Sequence, residues 1–412
     1  MELVSTERNR DLVIDGPSLT GGVDDPSDDR QLDRRRLLMV LGAGAAGAAL
    51  ATIGVNQPLA AQESTAEPDP EPDPEPDPEP DPEPDPEAGE TSAAEPGGTP
   101  VGSAGSATVY SGRSENLIGP IITRCEGLTG VDAEVRYADS GEMAATLLEE
   151  GDNSPASLFI SQDAGLLGLL AAEERLSPLP DDLLNRVDPR FRSPDGLWIG
   201  VSGRARVAAY NTEAVTEADL PASVLDLTDP NWKGRIGWAP GNASFQAFVT
   251  ALRQLEGEDG ARAWLEGMIA NEPTAFDSNG AVVRAIGEGE LDLGLVNHYY
   301  VYELKAEEGD DFPVANHFFS GGDPGSLINV AGLGILTIAP DPDQALALAG
   351  CLLGHEAQEY FAETTFEFPL IEGIEQAEGL PALTDIDSPE FDLTNLADLQ
   401  GTQDLLTDVG LI

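Results

Sequence analysis

Residues 107–161 read "ATVYSGRSENLIGPIITRCEGLTGVDAEVRYADSGEMAATLLEEGDNSPASLFIS". Two hydrophobic patterns alternate along this stretch. Short runs of apolar and β-branched residues indicate strands at 107–112, 132–138 and 156–161, and the longer segments between them, each ending in glycine, indicate helices. Strands that alternate with helices predict a mainly parallel sheet covered on both faces.

The same alternation resumes later in the chain. The segments "GRIGWA", "NASFQAFVTALRQLEG", "GARAWLEGMIAN", "AVVRAIGEG" and "LDLGLVN" follow one another between residues 234 and 297. Two such units within residues 107–412 predict an α/β protein of two lobes with a ligand cleft between them.

The chain is strongly acidic, with 75 Asp and Glu against 21 Lys and Arg and a formal net charge of −54. The acidity is not confined to a tail, because the residues from 96 onward carry 52 acidic and 15 basic side chains, a balance of −37. A nucleic-acid-binding surface needs the opposite sign, since neutralising phosphates supplies most of its affinity. Nucleic acid is therefore excluded as a partner.

Lysine is almost absent, with Lys233 and Lys305 as its only occurrences. An acidic, lysine-poor surface keeps a protein dispersed where concentrated salt screens charge repulsion, so we expect a halophilic prokaryotic source. Circular dichroism should show a sharp loss of folded structure when the purified protein is moved to low-salt buffer. Folded structure that is indifferent to salt would contradict this expectation.

The first 106 residues have the composition of export and tethering segments. Residues 34–62 begin with paired arginines, continue without a charge from Leu37 to Val55 and end in "PLAAQ", which resembles a twin-arginine signal. Nineteen apolar residues are also about enough to span a bilayer, so cleavage or retention as a membrane anchor stays open. In the anchored case residues 1–33 form a cytoplasmic extension.

Residues 63–106 form an acidic, proline-rich linker. Its repeat "EPDPEPDPEPDPEPDPEPDPE" at 67–87 places proline at every second position, which favours polyproline II, while the carboxylates repel one another. At roughly 3.1 Å per residue the linker could reach about 120 Å. We expect the domain at 107–412 to be exported and either tethered to the membrane or secreted.

The sequence offers little for catalysis. Its histidines are His298, His317 and His355, and no zinc-protease helix, nucleophile elbow or phosphate loop is present. An exported hydrolase is therefore a remote alternative, and we expect no enzyme activity. Cys125 and Cys351 each lie on a predicted helix, and either a disulfide or an unpaired buried pair fits.

Several blocks in order resemble the ferric-iron-binding proteins that serve bacterial ABC importers, within the periplasmic-binding-protein class. These blocks are "TVYSGRSE", "EEGDNSPASLFISQDAG", "VSGRARVAAYNT", "WKGRIGWAPGNASF", "GEGELDLGLVNHYY" and "GGDPGSLINVAG". The resemblance implies a type II-like fold of two lobes that close on ligand like a hinge. It places lobe 1 at about 107–205 and 331–380, and lobe 2 at about 206–330 and 381–412.

The resemblance also implies a ligand and partners. Ferric iron is the transported ligand, a synergistic phosphate or carbonate completes its shell, and an ABC permease with its ATPase receives it. A monomer is expected. Two alternatives remain. One is a binding protein of the same fold for another small anion or an iron chelate, and the other is a structural surface protein displayed on the acidic stalk.

Tyr299 and Tyr300 in "GLVNHYYVY" are the candidate metal ligands. Ferric iron is a hard, highly charged ion that prefers oxygen donors, and phenolate is a strong anionic one. Free tyrosine titrates near pH 10, but a bound cation draws the proton off. Adjacent residues of a strand face opposite ways, so joint ligation requires a turn or helix start at this point.

Other expected ligands depart from the family pattern. The position of the family's first-loop histidine is Ser114, followed by Glu115, and the position of its glutamate is Gln162, followed by Asp163. Asp163 and Glu115 are candidate carboxylate ligands, although each is equally explained as a solvated cleft charge. Tyr302 is a further candidate.

An anion site is predicted at the start of the helix in "APGNASFQAF". Asn242, Ala243 and Ser244 occupy a helix N-terminus, where free N–H groups and the dipole favour negative charge. The resemblance adds Asn279 and Asn297 as anion-contacting candidates, and Ser114 is a further one. Arg204 lies near a predicted crossing between the lobes and is a candidate partner of the anion. Caps and turn residues explain the asparagines equally well, and a structural salt bridge explains the arginine.

Overall fold

The computed structural model describes residues 105–412. The predicted segments 1–33 and 34–62, and the linker up to residue 104, lie outside the described residues. Within 105–412, no helix is long and apolar enough to cross a membrane.

The described part of the chain contains ten strands and ten α-helices. The strands are β1 (Gly105–Ser111), β2 (Val131–Tyr137), β3 (Leu158–Ser161), β4 (Ile199–Asn211), β5 (Ile236–Trp238), β6 (Thr274–Ala275), β7 (Leu293–Asn297), β8 (Val314–His317), β9 (Ile328–Ile335) and β10 (Phe368–Pro369). The helices are α1 (Glu115–Thr129), α2 (Ser140–Glu150), α3 (Ala164–Ala172), α4 (Asp181–Leu184), α5 (Ala243–Ala270), α6 (Asn279–Gly287), α7 (Tyr299–Glu308), α8 (Pro342–Leu352), α9 (His355–Glu363) and α10 (Leu399–Asp408).

The predicted alternation at the start of the folded part is confirmed. Strands β1, β2 and β3 are separated by α1 and α2, and β1 pairs in parallel with both other strands. Local signals explain the helix ends. Gly130 closes α1 in the left-handed conformation, which costs glycine little, and the Asp139 side chain caps α2 by accepting a hydrogen bond from the Gly141 amide.

One long strand joins the two halves of the sheet. The strand order is β2–β1–β3–β9–β4–β7–β5–β6, with β8 and β10 also paired to β4. The first part of β4, residues 199–205, pairs with β9 and β10, and residues 206–210 pair with β7. All 13 residues of β4 are buried. The pairing partners of β4 therefore change between residues 205 and 206, and we call this point the lobe crossing.

The described residues form three apolar clusters, and the largest, mainly in lobe 1, also includes Ala247 and Ala251 of α5. Lobe 1 has one large cluster, and in lobe 2 one cluster lies on each face of the sheet, with Leu295 of β7 in one and the neighbouring Val296 in the other. Near the C-terminus the chain contributes to both lobes. Leu396 packs into the lobe 1 core, whereas Leu405 and Leu406 on α10 pack into lobe 2 against α5.

The two helical segments expected at 242–257 and 260–271 form one interrupted element. Helix α5 spans Ala243–Ala270 with a kink at Gly257, whose φ of 78° and ψ of 165° are not helical. Glycine has no Cβ to oppose this conformation, so the chain changes direction here at little steric cost.

The cysteine pair is bonded. Cys125 on α1 and Cys351 on α8 form a disulfide with their Cα atoms 5.7 Å apart, and Cys125 is fully buried. The bond ties together two helices of lobe 1, which settles the choice that the sequence left open.

Candidate functional site

A cavity of about 650 Å³ lies where the two lobes face each other. Its wall includes Gln162 and Asp163 from lobe 1, Tyr299 and Tyr300 from lobe 2, and the crossing region of β4. Most of the predicted metal and anion residues therefore line one cavity.

The tyrosine pair lies at the point where β7 ends and α7 begins. Successive residues diverge by about 100° on a helix instead of the 180° of a strand, so both rings can point toward one side. Their ring centroids are 4.3 Å apart at an angle of 32°. The helix start that joint ligation requires is present.

The protonation of Tyr299 depends on its surroundings. Burial raises the pKa of this phenol well above 10, the neighbouring Tyr300 adds to the shift, and Arg204 opposes it. Without a cation in the cavity the phenol keeps its proton. A bound metal ion supplies the positive charge that favours the phenolate, so binding and proton release are coupled.

Arg206 is a buried cation beside this pair. The residue is 3% exposed, and its guanidinium donates to the Ser244 hydroxyl at 3.2 Å and to the Leu295 carbonyl at 2.8 Å. Its Nε has no hydrogen-bond partner, and no carboxylate of residues 105–412 forms an ion pair with it. Burial lowers the pKa of Arg206 to about 9, while both tyrosines oppose that shift. A buried cation without a counter-ion favours an anion or a phenolate next to it.

Two helix N-termini meet at Ser244, whose hydroxyl accepts a hydrogen bond from Arg206. Asn242 caps α5 by accepting from the Ser244 amide at 3.0 Å and from its hydroxyl at 2.6 Å. Asn279, the first residue of α6, donates to that hydroxyl at 3.0 Å and to the Asn242 side chain at 3.3 Å. The side-chain oxygen of Asn279, Oδ1, is buried without a partner. Helix dipoles and a guanidinium converge here, which is the electrostatic requirement of an anion site.

Two further anion candidates of lobe 2 line the cavity. Ala243 is the first residue of α5, and Asn297 ends β7 directly opposite Arg206 in the strand pairing. Both residues line the cavity wall.

Arg204 takes part in a structural ion pair, one of the two roles left open for it. Its Nε lies 3.8 Å from a carboxylate oxygen of Glu367, which also forms a 2.7 Å ion pair with Arg113, and all three side chains are buried. Burial by itself would raise the pKa of Glu367, but the two arginines together lower it below its ordinary value. Arg204 also donates to the Gln162 carbonyl and lines the cavity.

The lobe 1 wall offers few metal ligands. Asp163 lines the cavity, but its Oδ1 caps α3 by accepting from the amides of Gly165 and Leu166. Burial raises the pKa of Asp163, and Arg204 opposes the rise. Within residues 105–412, no cluster of three or more His, Cys, Asp or Glu could hold a metal ion.

Asn279 bonds the cavity residues Asn242 and Ser244 but does not itself line the cavity, and three further candidates lie apart from it. Ser114 and Glu115 are exposed at the N-terminus of α1, where Glu115 lines a separate groove beside Tyr137. Tyr302 stacks on Phe366, with ring centroids 6.0 Å apart. None of the three contributes to the 650 Å³ cavity.

Sequence reasoning did not select Arg206. A signal was present, since Arg204 and Arg206 are two residues apart in a mostly apolar strand and such residues share one face.

The mouth of the cavity is negatively charged, because the exposed acids Asp139, Glu142 and Asp277 line it. An acidic mouth attracts cations and a basic interior holds negative charge.

The chain is similar in sequence to known proteins. The profile of a family described as "Bacterial extracellular solute-binding protein" matches residues 153–388. The "Fe(3+)-binding periplasmic protein" of Serratia marcescens is 32% identical over 306 residues, which cover 74% of this chain and 90% of that protein.

Solved structures of similar proteins have the same fold. Iron-bound HitA from Pseudomonas aeruginosa aligns with a TM-score of 0.69 and 32% identity, covering 74% of this chain and 99% of that one. The IdiA (FutA) protein of Trichodesmium, in complex with iron and citrate ligands, aligns with a TM-score of 0.67 and 26% identity over 74% of this chain and 100% of that one.

Proposed function

This chain belongs to the bacterial extracellular solute-binding proteins and has the two-lobed fold of its iron-binding relatives, and from that premise we propose that it captures ferric iron together with a synergistic anion. The observation that supports the proposal most directly is the juxtaposition of Tyr299 and Tyr300 with the unpaired Arg206 and two helix N-termini. Membership of the family and the two-lobed fold confirm the resemblance and the fold inferred from the sequence.

The proposed mechanism is binding followed by closure of the lobes, without bond making in the ligand. The ferric ion displaces the phenolic protons of Tyr299 and Tyr300 and is held by two phenolates. A phosphate or carbonate fills further coordination positions, and its remaining oxygens accept hydrogen bonds from Arg206 and from the amides at the start of α5. Asn279, Asn297 and Ser244 orient the anion.

Titration of the purified full chain with ferric iron tests this proposal. Phenolate-to-iron charge transfer should produce a red or orange colour that saturates as the protein is filled, and phosphate or carbonate should strengthen binding. A protein that stays colourless with either anion refutes the proposed function.

We place the protein outside the cytoplasm, tethered or secreted through residues 34–62 and the linker, where it delivers iron to an ABC permease. The iron-binding relative is periplasmic by its name. Labelling of intact cells with a membrane-impermeant reagent tests the location, and cross-linking to a permease subunit tests the delivery.

A ferric chelate is the second candidate ligand. The lobe 1 wall offers the amide of Gln162 and the Asp163 carboxylate, one oxygen of which already caps a helix. A polydentate carboxylate could therefore supply the coordination that the protein does not. Binding of iron with radiolabelled citrate distinguishes the two, because a chelate is retained in proportion to iron whereas a simple donor is released.

The anion part of the proposal predicts a role for Arg206. In Arg206→Gln, the gain in iron affinity that phosphate provides should fall by about tenfold or more, because a hydrogen bond to a charged group is worth about 1.5–3 kcal/mol. Isothermal titration with and without phosphate measures this gain. Arg284→Gln, which removes an exposed arginine paired with Glu307 and Glu308, is the matched control. An unchanged phosphate effect in Arg206→Gln would show that the anion does not lie here.

A further inference from the structure

The imidazole of His298 lies directly before the tyrosine pair but does not line the cavity. It is fully buried, and the hydrogen bond that its Nδ1 accepts from a backbone amide requires a neutral ring. Nδ1 accepts a hydrogen bond from the Ala205 amide at 3.2 Å, and Nε2 lies 2.8 Å from the Phe366 carbonyl. A neutral ring that accepts at Nδ1 carries its proton on Nε2, which therefore donates to Phe366.

The ring is also fixed by packing on both sides. It stacks on Phe368 with centroids 4.4 Å apart, and it meets Tyr299 edge-on at 5.8 Å and 90°. Its backbone amide donates to the Ala205 carbonyl at 3.0 Å, and its carbonyl accepts from the Asn316 side chain at 2.8 Å. His298 thus contacts β4 at the lobe crossing and the phenol that follows it.

The segment 366–368, which His298 contacts, connects to lobe 1. Phe366 has a φ of 53°, an uncommon conformation for a residue other than glycine, and this directs its carbonyl toward His298. Glu367 binds Arg113, which follows β1 in lobe 1. Phe368 begins β10, which pairs with β4 at Gly203. Residues 366–368 therefore contact the start of α7 through His298 and lobe 1 through Glu367.

We propose that His298 is a positioning residue that, through its hydrogen bond to the Phe366 carbonyl, couples the placement of Tyr299 to the crossing between the lobes. Movement of lobe 1 carries residues 366–368 with it, and the imidazole transmits this displacement to the first turn of α7. The part of this inference that concerns iron rests on the proposed function. The mechanical link itself does not.

Two substitutions distinguish the two hydrogen bonds that the His298 ring makes. In His298→Gln the side-chain amide occupies the place of Nε2 and retains the donor to Phe366. In His298→Asn the side-chain oxygen occupies the place of Nδ1, so the contact with Ala205 is retained and the bond to Phe366 is lost. His317→Gln is the matched control, because His317 also bonds a carbonyl, that of Pro221 at 2.9 Å, and packs on Phe319 in lobe 2.

Iron affinity and the charge-transfer spectrum are the first readout. His298→Asn should weaken ferric binding by about 10–100-fold, the usual cost of losing an outer partner of a metal ligand, and should shift the visible absorption band. His298→Gln should keep most of the affinity and the wild-type band, as should His317→Gln. Wild-type affinity and spectrum in His298→Asn, measured on folded protein, would overturn the proposal.

Hydrogen exchange in the metal-free protein is the second readout, and it does not depend on iron. Amides in α7 should exchange faster in His298→Asn than in His298→Gln or His317→Gln, with global stability followed by chemical denaturation. Equal exchange of α7 in the two His298 variants would overturn the coupling. If the wild-type protein binds no iron, the proposed function fails while this comparison still decides the role of His298.

Discussion

Replacement of both tyrosines of the pair, Tyr299→Phe with Tyr300→Phe, will abolish the visible absorption band of bound iron and reduce the affinity for ferric iron by well over 100-fold. This loss exceeds the roughly 10–100-fold that removal of an outer partner of a metal ligand costs. Each substitution removes one phenolic oxygen and leaves the ring. The apolar packing of Tyr299, which is 5% exposed, is therefore retained. We expect the change in iron binding to far exceed the change in stability.

The physical reason is the charge of the ligand. Ferric iron prefers anionic oxygen donors, and the described part of the chain has no cluster of three or more acidic, histidine or cysteine side chains to replace the phenolates. The single variants should retain a weaker band of altered position, since one phenolate remains in each. Arg206 would then lie beside a phenyl ring, and its buried charge would be compensated less well.

The control for this experiment is Tyr210→Phe. Tyr210 lies on β4 in the lobe 2 core and is 7% exposed, so it tests the loss of a buried phenol away from the cavity. Competition against a chelator of known affinity measures iron binding in all variants. Wild-type affinity and colour in the double variant would show that the iron is not held by Tyr299 and Tyr300.

Removal of the disulfide is expected to have the second large effect. In Cys125→Ala with Cys351→Ala, the free energy of unfolding should fall by about 5 kcal/mol, because the bond joins residues 226 apart and chain-entropy reasoning gives the largest losses for long loops. The bond lies between α1 and α8 in lobe 1, and neither cysteine lines the cavity. The folded variant should therefore keep most of its iron affinity.

Denaturant unfolding with and without a reducing agent measures this effect. Reduction should lower the midpoint for the wild-type protein and leave the double alanine variant unchanged, which controls for other effects of the reagent. A wild-type midpoint that does not respond to complete reduction would contradict the prediction. Disulfides persist in oxidising compartments, so the bond also agrees with the proposed export.

Part of the candidate site could be predicted because its chemistry is local in sequence. The adjacency of Tyr299 and Tyr300 is a property of the chain, and so is the capping pattern at the start of α5. The convergence of Asn242, Ser244 and Asn279 was expected from resemblance, and the structure places their side chains within hydrogen-bonding distance. The tyrosine pair and the helix cap needed only residue identity and local structure, whereas Asn279, 35 residues from Ser244, came from the resemblance.

Other features depended on contacts between residues far apart in sequence. Arg204 and Arg206 are nearly equivalent in sequence, yet one lies beside Glu367, more than 160 residues away, and the other has no carboxylate partner in residues 105–412. The sequence indicates no role for His298, whose hydrogen bonds to Ala205 and Phe366 exist only in the folded chain. Ser114 and Glu115 were expected at the site and lie outside the cavity.

The sequence by itself determined the α/β class, the acidity and the tyrosine pair, since each depends on composition, periodicity or neighbouring residues. It also predicts the export and linker segments. Only the tertiary structure decided that the cysteines are bonded, which arginine lacks a counter-ion, and how His298 connects the tyrosines to the lobe crossing. The physical reason is that burial, ion pairing and disulfide formation depend on distances between remote residues, and the fold sets those distances.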